Sequence, residues 1–166
     1  NILTKPRKEL NLTNQTQTFK FLKRHKPHLV IIAAAKVGGI MFNLKFKHQF
    51  IYQNIQIQSN IIHGSYLAGI KNLIFLGSSC IYPKHSKQPM KEKYLLTGKL
   101  EESNEGYAIA KIAGLKMCEY YNQFLKLNYN EIEIKGLESQ ERYSEEILRY
   151  GQKVVPFYIE TFDERN

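Results

Sequence analysis

At 166 residues the chain is long enough for one domain with its own core, and 43% hydrophobic against 23% charged residues excludes wholesale disorder. The net charge of +9 is uneven: residues 1–100 hold 16 Lys/Arg against only Glu9 and Glu92, whereas residues 101–166 hold 8 against 13 Asp/Glu. The longest uncharged stretch, His48 to Ile70, is studded with Gln, Asn, Ser and His, which excludes a membrane span.

Two cysteines, Cys80 and Cys118, give neither a disulfide framework nor metal-ligand spacing, so no metal is expected. The opening NILTKPRKEL lacks the apolar segment of a secretory signal, and a reducing, cytoplasmic setting is expected. The basic front fits general solubility or an attraction to phosphate-rich ligands. No nucleic-acid motif accompanies it, and no nucleic-acid partner is expected.

In chain order, residues 2–4 read as the tail of a strand. Residues 14–25 (NQTQTFKFLKRH) read as an amphipathic helix capped by Thr13 or Asn14, with Pro27 just past its end. HLVIIAAA (28–35) is a continuous apolar run, the pattern of a strand buried on both faces in a parallel sheet. Val37-Gly38-Gly39 reads as a loop. Phe50, Ile51, Ile55, Ile61, Ile62 and Tyr66 recur near helical period across 46–68, and Gly69 stops that helix. NLIFLG (72–77) is a second buried strand, a polar loop with Pro83 and Pro89 follows, and 105–126 is a long helix carrying Ala108, Ile112, Leu115 and Cys118. Alternating strand and helix predicts an α/β fold with a parallel sheet flanked by helices.

Such sheets bind ligands beyond the carboxyl ends of their strands, which directs attention to Ala34–Gly39 and Ser78–Tyr82. Gly77-Ser78-Ser79-Cys80 leaves the second strand, and Tyr107-Ala-Ile-Ala-Lys111 opens the next helix. Tyr107 and Lys111, four apart, share a helix face. A phenol with a pKa of about 10 becomes a useful acid–base when an ammonium lies beside it. A Ser78 hydroxyl can hold a carbonyl in line with it, as proton transfer coupled to hydride transfer requires. Taken singly, Tyr107/Lys111 also fits a helix-surface pair and Ser78/Ser79 a strand-end turn. Together the strand, GSSCIYP and YxxxK favour the chemical reading.

LGSSCIYPK…QPM…LLTGKLEESNEGYAIAKIAG, together with IIAAAKVGGI and FIYQNIQIQSNIIH, resembles the GDP-L-fucose synthases, extended short-chain dehydrogenase/reductases, over about residues 3 to 130. The resemblance implies a Rossmann-like NADP-binding fold. It also implies NADPH-dependent conversion of GDP-4-keto-6-deoxy-mannose to GDP-L-fucose, by epimerisation at C3 and C5 and reduction at C4. Carried over by motif, Ser78, Tyr107 and Lys111 form the reduction triad and Cys80 is the epimerisation base. Arg7 reads the 2′-phosphate of NADP(H), and Asn11 and Leu12 lie on the adenine side. Ala34, Ala35 and Lys36 lie near the cofactor. Leu76, Gly77, Ser78 and Ser79 flank the nicotinamide, and Lys111 also bonds the nicotinamide ribose. Asn54 orders the site or simply packs. Family members are homodimers, which here implies pairing of 46–68 and 105–126.

The family's first strand and GxxGxxG turn have no counterpart: no three of the ten glycines have that spacing. The expected organisation is therefore a partial, truncated NADP-binding domain at 1–130 and a divergent acidic tail at 131–166. In that tail, 138–150 read as a helix and 153–159 as a strand. A missing first strand would leave strand edges unpaired. The alternative is a catalytically inactive remnant, a binding or oligomerisation module or the product of a broken gene.

Overall fold

The structure, a computed structural model, describes residues 2–125 and 127–132. Four helices and three strands alternate: α1 (Gln15–His25), β1 (Leu29–Ile32), α2 (Ile40–Lys45), α3 (Lys47–Leu67), β2 (Asn72–Leu76), α4 (Glu105–Leu125) and β3 (Asn128–Ile132). The strands form one sheet in the order β1-β2-β3, parallel throughout, with Ile32 opposite Phe75 and Leu73 opposite Tyr129.

Local chemistry accounts for the element ends. The Asn14 side chain accepts from the Gln17 amide at 3.0 Å and caps α1, which settles the choice between Thr13 and Asn14. At the end of α3 the Ile70 amide reaches the Ser65 carbonyl and the Gly69 amide the Tyr66 carbonyl, both at 2.9 Å. This is a Schellman stop, and Gly69, at φ +73°, takes the left-handed position it needs.

Alternate strand residues face opposite sides. Val30, Ile32, Leu73 and Phe75 meet Ile61, Ile62, Ile112, Leu115 and the buried Cys118 in the main core. α3 lies between α1 and α4 in the helical layer. β3 is tied in by Tyr129, whose hydroxyl donates to the Ile70 carbonyl at 3.0 Å, while the Asn122 side chain bonds both backbone groups of Tyr129.

The structure corrects several expectations. Residues 2–4 form no strand; they are irregular and exposed. A strand needs a neighbour to take its hydrogen bonds, and among the described residues none lies beside them. The strand expected at 28–35 is confined to Leu29–Ile32, and Ile31 is 40% exposed rather than buried. β1 is an edge strand among the described residues, and the helices pack on its other face. α2 and β3 went unassigned in the sequence. β3 also runs across the boundary expected between residues 130 and 131. The helix and strand expected at 138–150 and 153–159 lie outside the described residues.

Candidate functional site

The loops that leave β1 and β2 at their carboxyl ends converge on the start of α4. Beyond β2, Ser79–Ile81 form a single 3-10 turn. That turn brings the Cys80 thiol back over the strand end, where it donates to Ser78 Oγ at 3.2 Å. Ser78 also lies close enough to the Tyr107 hydroxyl to influence its ionisation. One helical turn further along α4, Lys111 is only 4% exposed. Its ammonium donates to the Leu76 carbonyl at 2.9 Å and lies 4.7 Å from the Phe75 ring centre and 5.7 Å from that of Tyr107. Ser78, Cys80, Tyr107 and Lys111 are thus one cluster, although up to 33 residues apart in sequence.

The electrostatics differ from the sequence expectation in one respect. Burial pushes the Tyr107 phenol up to about 12; the Cys80 charge adds to this and the Ser78 hydrogen bond opposes it. The expected depression by Lys111 does not prevail: desolvation of the buried phenol is the largest influence on it. Burial draws Lys111 down to about 8, with the Cys80 charge opposing. Burial also raises the Cys80 thiol, against a hydrogen bond to Ser78 and the charge of Lys111. A phenol that stays protonated suits donation to a developing alkoxide, whereas at Cys80 burial outweighs the opposing pull of Ser78 and Lys111 and favours the thiol.

Around this cluster the β1 loop is clamped. Asn54 accepts from the Lys36 amide at 2.7 Å and donates to the Lys36 carbonyl at 2.9 Å and to the Phe50 carbonyl at 2.8 Å. Asn54 therefore orders the segment after β1, beyond its own helix. The Lys36 ammonium lies over Phe42 and Phe50, at 5.7 and 5.6 Å. Ala34 is exposed and Ala35 half-buried, while Gly77 is buried and Ser79 exposed.

The adenine-side candidates lie apart from the catalytic cluster, in the turn before α1. Asn11 Oδ1 accepts from the Thr13 amide and hydroxyl at 3.1 and 2.8 Å, and the Leu12 carbonyl accepts from Asn60 at 2.9 Å. Arg7 sits exposed in the preceding turn. Sequence reasoning missed Gln58 and Asn60. α3 carries six carboxamides, Gln49, Gln53, Asn54, Gln56, Gln58 and Asn60, and nothing in their spacing singles out these two. Among the described residues no group of three or more His, Cys, Asp or Glu is placed to hold a metal ion, and no helix is long and apolar enough to cross a membrane.

A parallel sheet with serine, tyrosine and lysine gathered at its carboxyl edge defines a nucleotide-cofactor α/β protein. The NAD dependent epimerase/dehydratase family matches residues 3–152, and the chain belongs to that family. It is 52% identical to the GDP-L-fucose synthase of Sinorhizobium fredii over 128 residues, covering 77% of this chain and 41% of the relative. It is 49% identical to that of Escherichia coli over 131 residues, covering 79% and 41%. Among solved structures, a GDP-mannoheptose C4 reductase from Campylobacter jejuni with NADP bound superposes with a TM-score of 0.77 at 41% identity, over 80% of this chain and 42% of that one. The chain thus spans about two fifths of the length of the relatives it matches.

Proposed function

We propose that this chain is the catalytic-edge portion of an NADPH-dependent epimerase/reductase that converts GDP-4-keto-6-deoxy-mannose to GDP-L-fucose. The observation that carries the reading is the meeting of Ser78, Cys80, Tyr107 and Lys111 at the carboxyl end of β2, in a chain about half identical to GDP-L-fucose synthases. Cys80, deprotonated in the reaction, takes the acidic proton at C3 and then at C5, beside the ketone, and each enolate is reprotonated on its opposite face by a second acid of the full-length enzyme. Ser78 holds the C4 oxygen. Tyr107 donates its proton to that oxygen as the ketone is reduced.

NADPH, when bound, supplies the hydride. The residues here fit its nicotinamide half: the Lys111 ammonium spends one of its three donors on Leu76, which leaves two for ribose hydroxyls. Leu76, Gly77, Ser79, Ala34, Ala35 and Lys36 would flank it, with Arg7, Asn11 and Leu12 on the adenosine side. No GxxGxxG segment for the pyrophosphate lies within these 166 residues. Residues 1–130, together with the end of β3, are accordingly read as part of the NADP-binding domain, and the rest, to residue 166, as a tail of unassigned role.

A second copy of the chain is the proposed partner. Tyr52 and Ile55 on α3 and Ile109, Tyr120 and Phe124 on α4 are exposed apolar side chains on the two longest helices, suited to pairing in a homodimer. The setting proposed is cytoplasmic, consistent with two free cysteines.

The test is incubation of the full-length protein with GDP-4-keto-6-deoxy-mannose and NADPH. Oxidation of NADPH with GDP-L-fucose identified by NMR is expected. Absence of turnover in a folded full-length protein overturns the reading.

A further inference from the structure

Besides Asn54, helix α3 buries two further carboxamides that the reaction itself does not use. Gln58 is 3% exposed and Asn60 6%. Leucine would fill either space without needing a partner, whereas a buried amide has to find one. Each finds it outside the helix. Gln58 Nε2 donates to the Ala110 carbonyl of α4 at 2.5 Å, and Asn60 Nδ2 donates to the Leu12 carbonyl at 2.9 Å.

The two are separated by about 200° around α3, so they reach opposite neighbours. Ala110 directly precedes Lys111 and lies three residues after Tyr107. The approach there is close: a Cβ added at Gly114 would meet Phe75 Cζ at 2.6 Å and Gln58 Oε1 at 2.8 Å, so α4 is seated against both the sheet and Gln58. On the other side, the Leu12 carbonyl takes a second donor, Thr18 Oγ1 at 3.3 Å, in a turn that Asn11 closes onto Thr13.

We propose that Gln58 and Asn60 are positioning residues acting on separate halves of the site: Gln58 sets the seat of Tyr107 and Lys111 over β2, and Asn60 sets the Asn11–Leu12 turn on the adenosine side. The assignment of those halves rests on the functional reading above. The bonds that define the seats are independent of it. An amide bonded to a backbone carbonyl enforces one register, which apolar packing of equal volume does not. A single central helix thereby keeps two distant ligand-facing segments in fixed relation.

The test uses the 166-residue chain and two readouts. One is the titration of the Lys111 side chain, followed by NMR of its ε-methylene. The other is amide exchange at Thr13 and Asn14, with the binding of adenosine 2′,5′-bisphosphate as probe of that turn. Gln58→Met should move the Lys111 midpoint upward by about one pH unit as water reaches the ammonium, and leave the turn unchanged. Asn60→Leu should accelerate exchange at Thr13 and Asn14 about tenfold and weaken the bisphosphate about fivefold, and leave Lys111 unchanged. Should either variant fail to fold, Gln58→Ala and Asn60→Ala carry the same comparison. Crossed effects support the proposal. Both readouts moving together in each variant, or a readout unmoved by its own variant, overturns it. Variants that show the crossed NMR pattern, in a chain whose wild type does not bind the bisphosphate, would instead count against the cofactor reading and leave the positioning roles standing.

Discussion

The Lys111 ammonium donates to the Leu76 carbonyl at 2.9 Å, which ties the first turns of α4 to the last residue of β2. The bond does two things. It satisfies a carbonyl of the last residue of β2, at the sheet's carboxyl end. It also holds a buried positive charge beside Tyr107 and within electrostatic reach of Cys80. The cost is desolvation of the ammonium, expressed as a pKa drawn down to about 8.

That shift makes stability depend on pH. Unfolded, Lys111 titrates near the ordinary lysine value of about 10.4, so between about pH 8 and 10 the unfolded chain binds more protons than the folded one. Stability contributed through Lys111 therefore rises across that window. Tyr107, raised to about 12, works the other way above about pH 10, where the unfolded phenol ionises first. The raised Cys80 thiol opposes this within the same window, so urea unfolding at stepped pH should show the wild type gaining on the order of 1–3 kcal/mol relative to Lys111→Met between pH 8 and 10. Identical slopes for the two proteins would refute the assignment.

Tyr107→Phe removes the hydroxyl proposed to protonate the C4 oxygen. In the full-length enzyme, ketone reduction should fall by about 10²–10⁴. Solvent-deuterium exchange at C3 and C5 should persist. Single-turnover oxidation of NADPH and NMR of the recovered substrate measure the two steps separately.

Cys80→Ser keeps the shape next to Ser78 but replaces a thiol with a group far harder to ionise. Wash-in of deuterium should drop by at least about tenfold, while reduction of the ketone continues and yields an unepimerised 6-deoxyhexose nucleotide. Equal loss of both steps in the Tyr107 and Cys80 variants would remove the division of labour proposed for these residues.

Gly114→Ala tests the seating of α4. The new methyl would fall 2.6 Å from Phe75 Cζ and 2.8 Å from Gln58. Neither neighbour can yield freely, since Phe75 is core and Gln58 is bonded to Ala110. A loss of about 1–3 kcal/mol is expected in urea unfolding, despite alanine's better helix propensity. A stabilised variant would show that α4 has room to shift.

Much of the architecture follows from local pattern. The 3.6-residue spacing of Phe50, Ile61 and Ile62, the Asn14 cap and the Gly69 stop define helices by chemistry that acts within a few residues. The apolar run NLIFL, bounded by Gly69 and Gly77, reads as a buried strand. The neighbouring run at 28–35 has the same composition, yet β1 is short and Ile31 is exposed. Whether a strand is central or at an edge depends on which neighbours exist, and its own residues do not encode that. The YxxxK and GSSC motifs nominate Ser78, Cys80, Tyr107 and Lys111, because four residues of helix place two side chains on one face. Their convergence, the upward shift of Tyr107 and the buried bonds of Asn54, Gln58 and Asn60 arise between segments up to 52 residues apart. Desolvation and hydrogen bonding at those distances are properties of the packed molecule, so only the tertiary structure decides them.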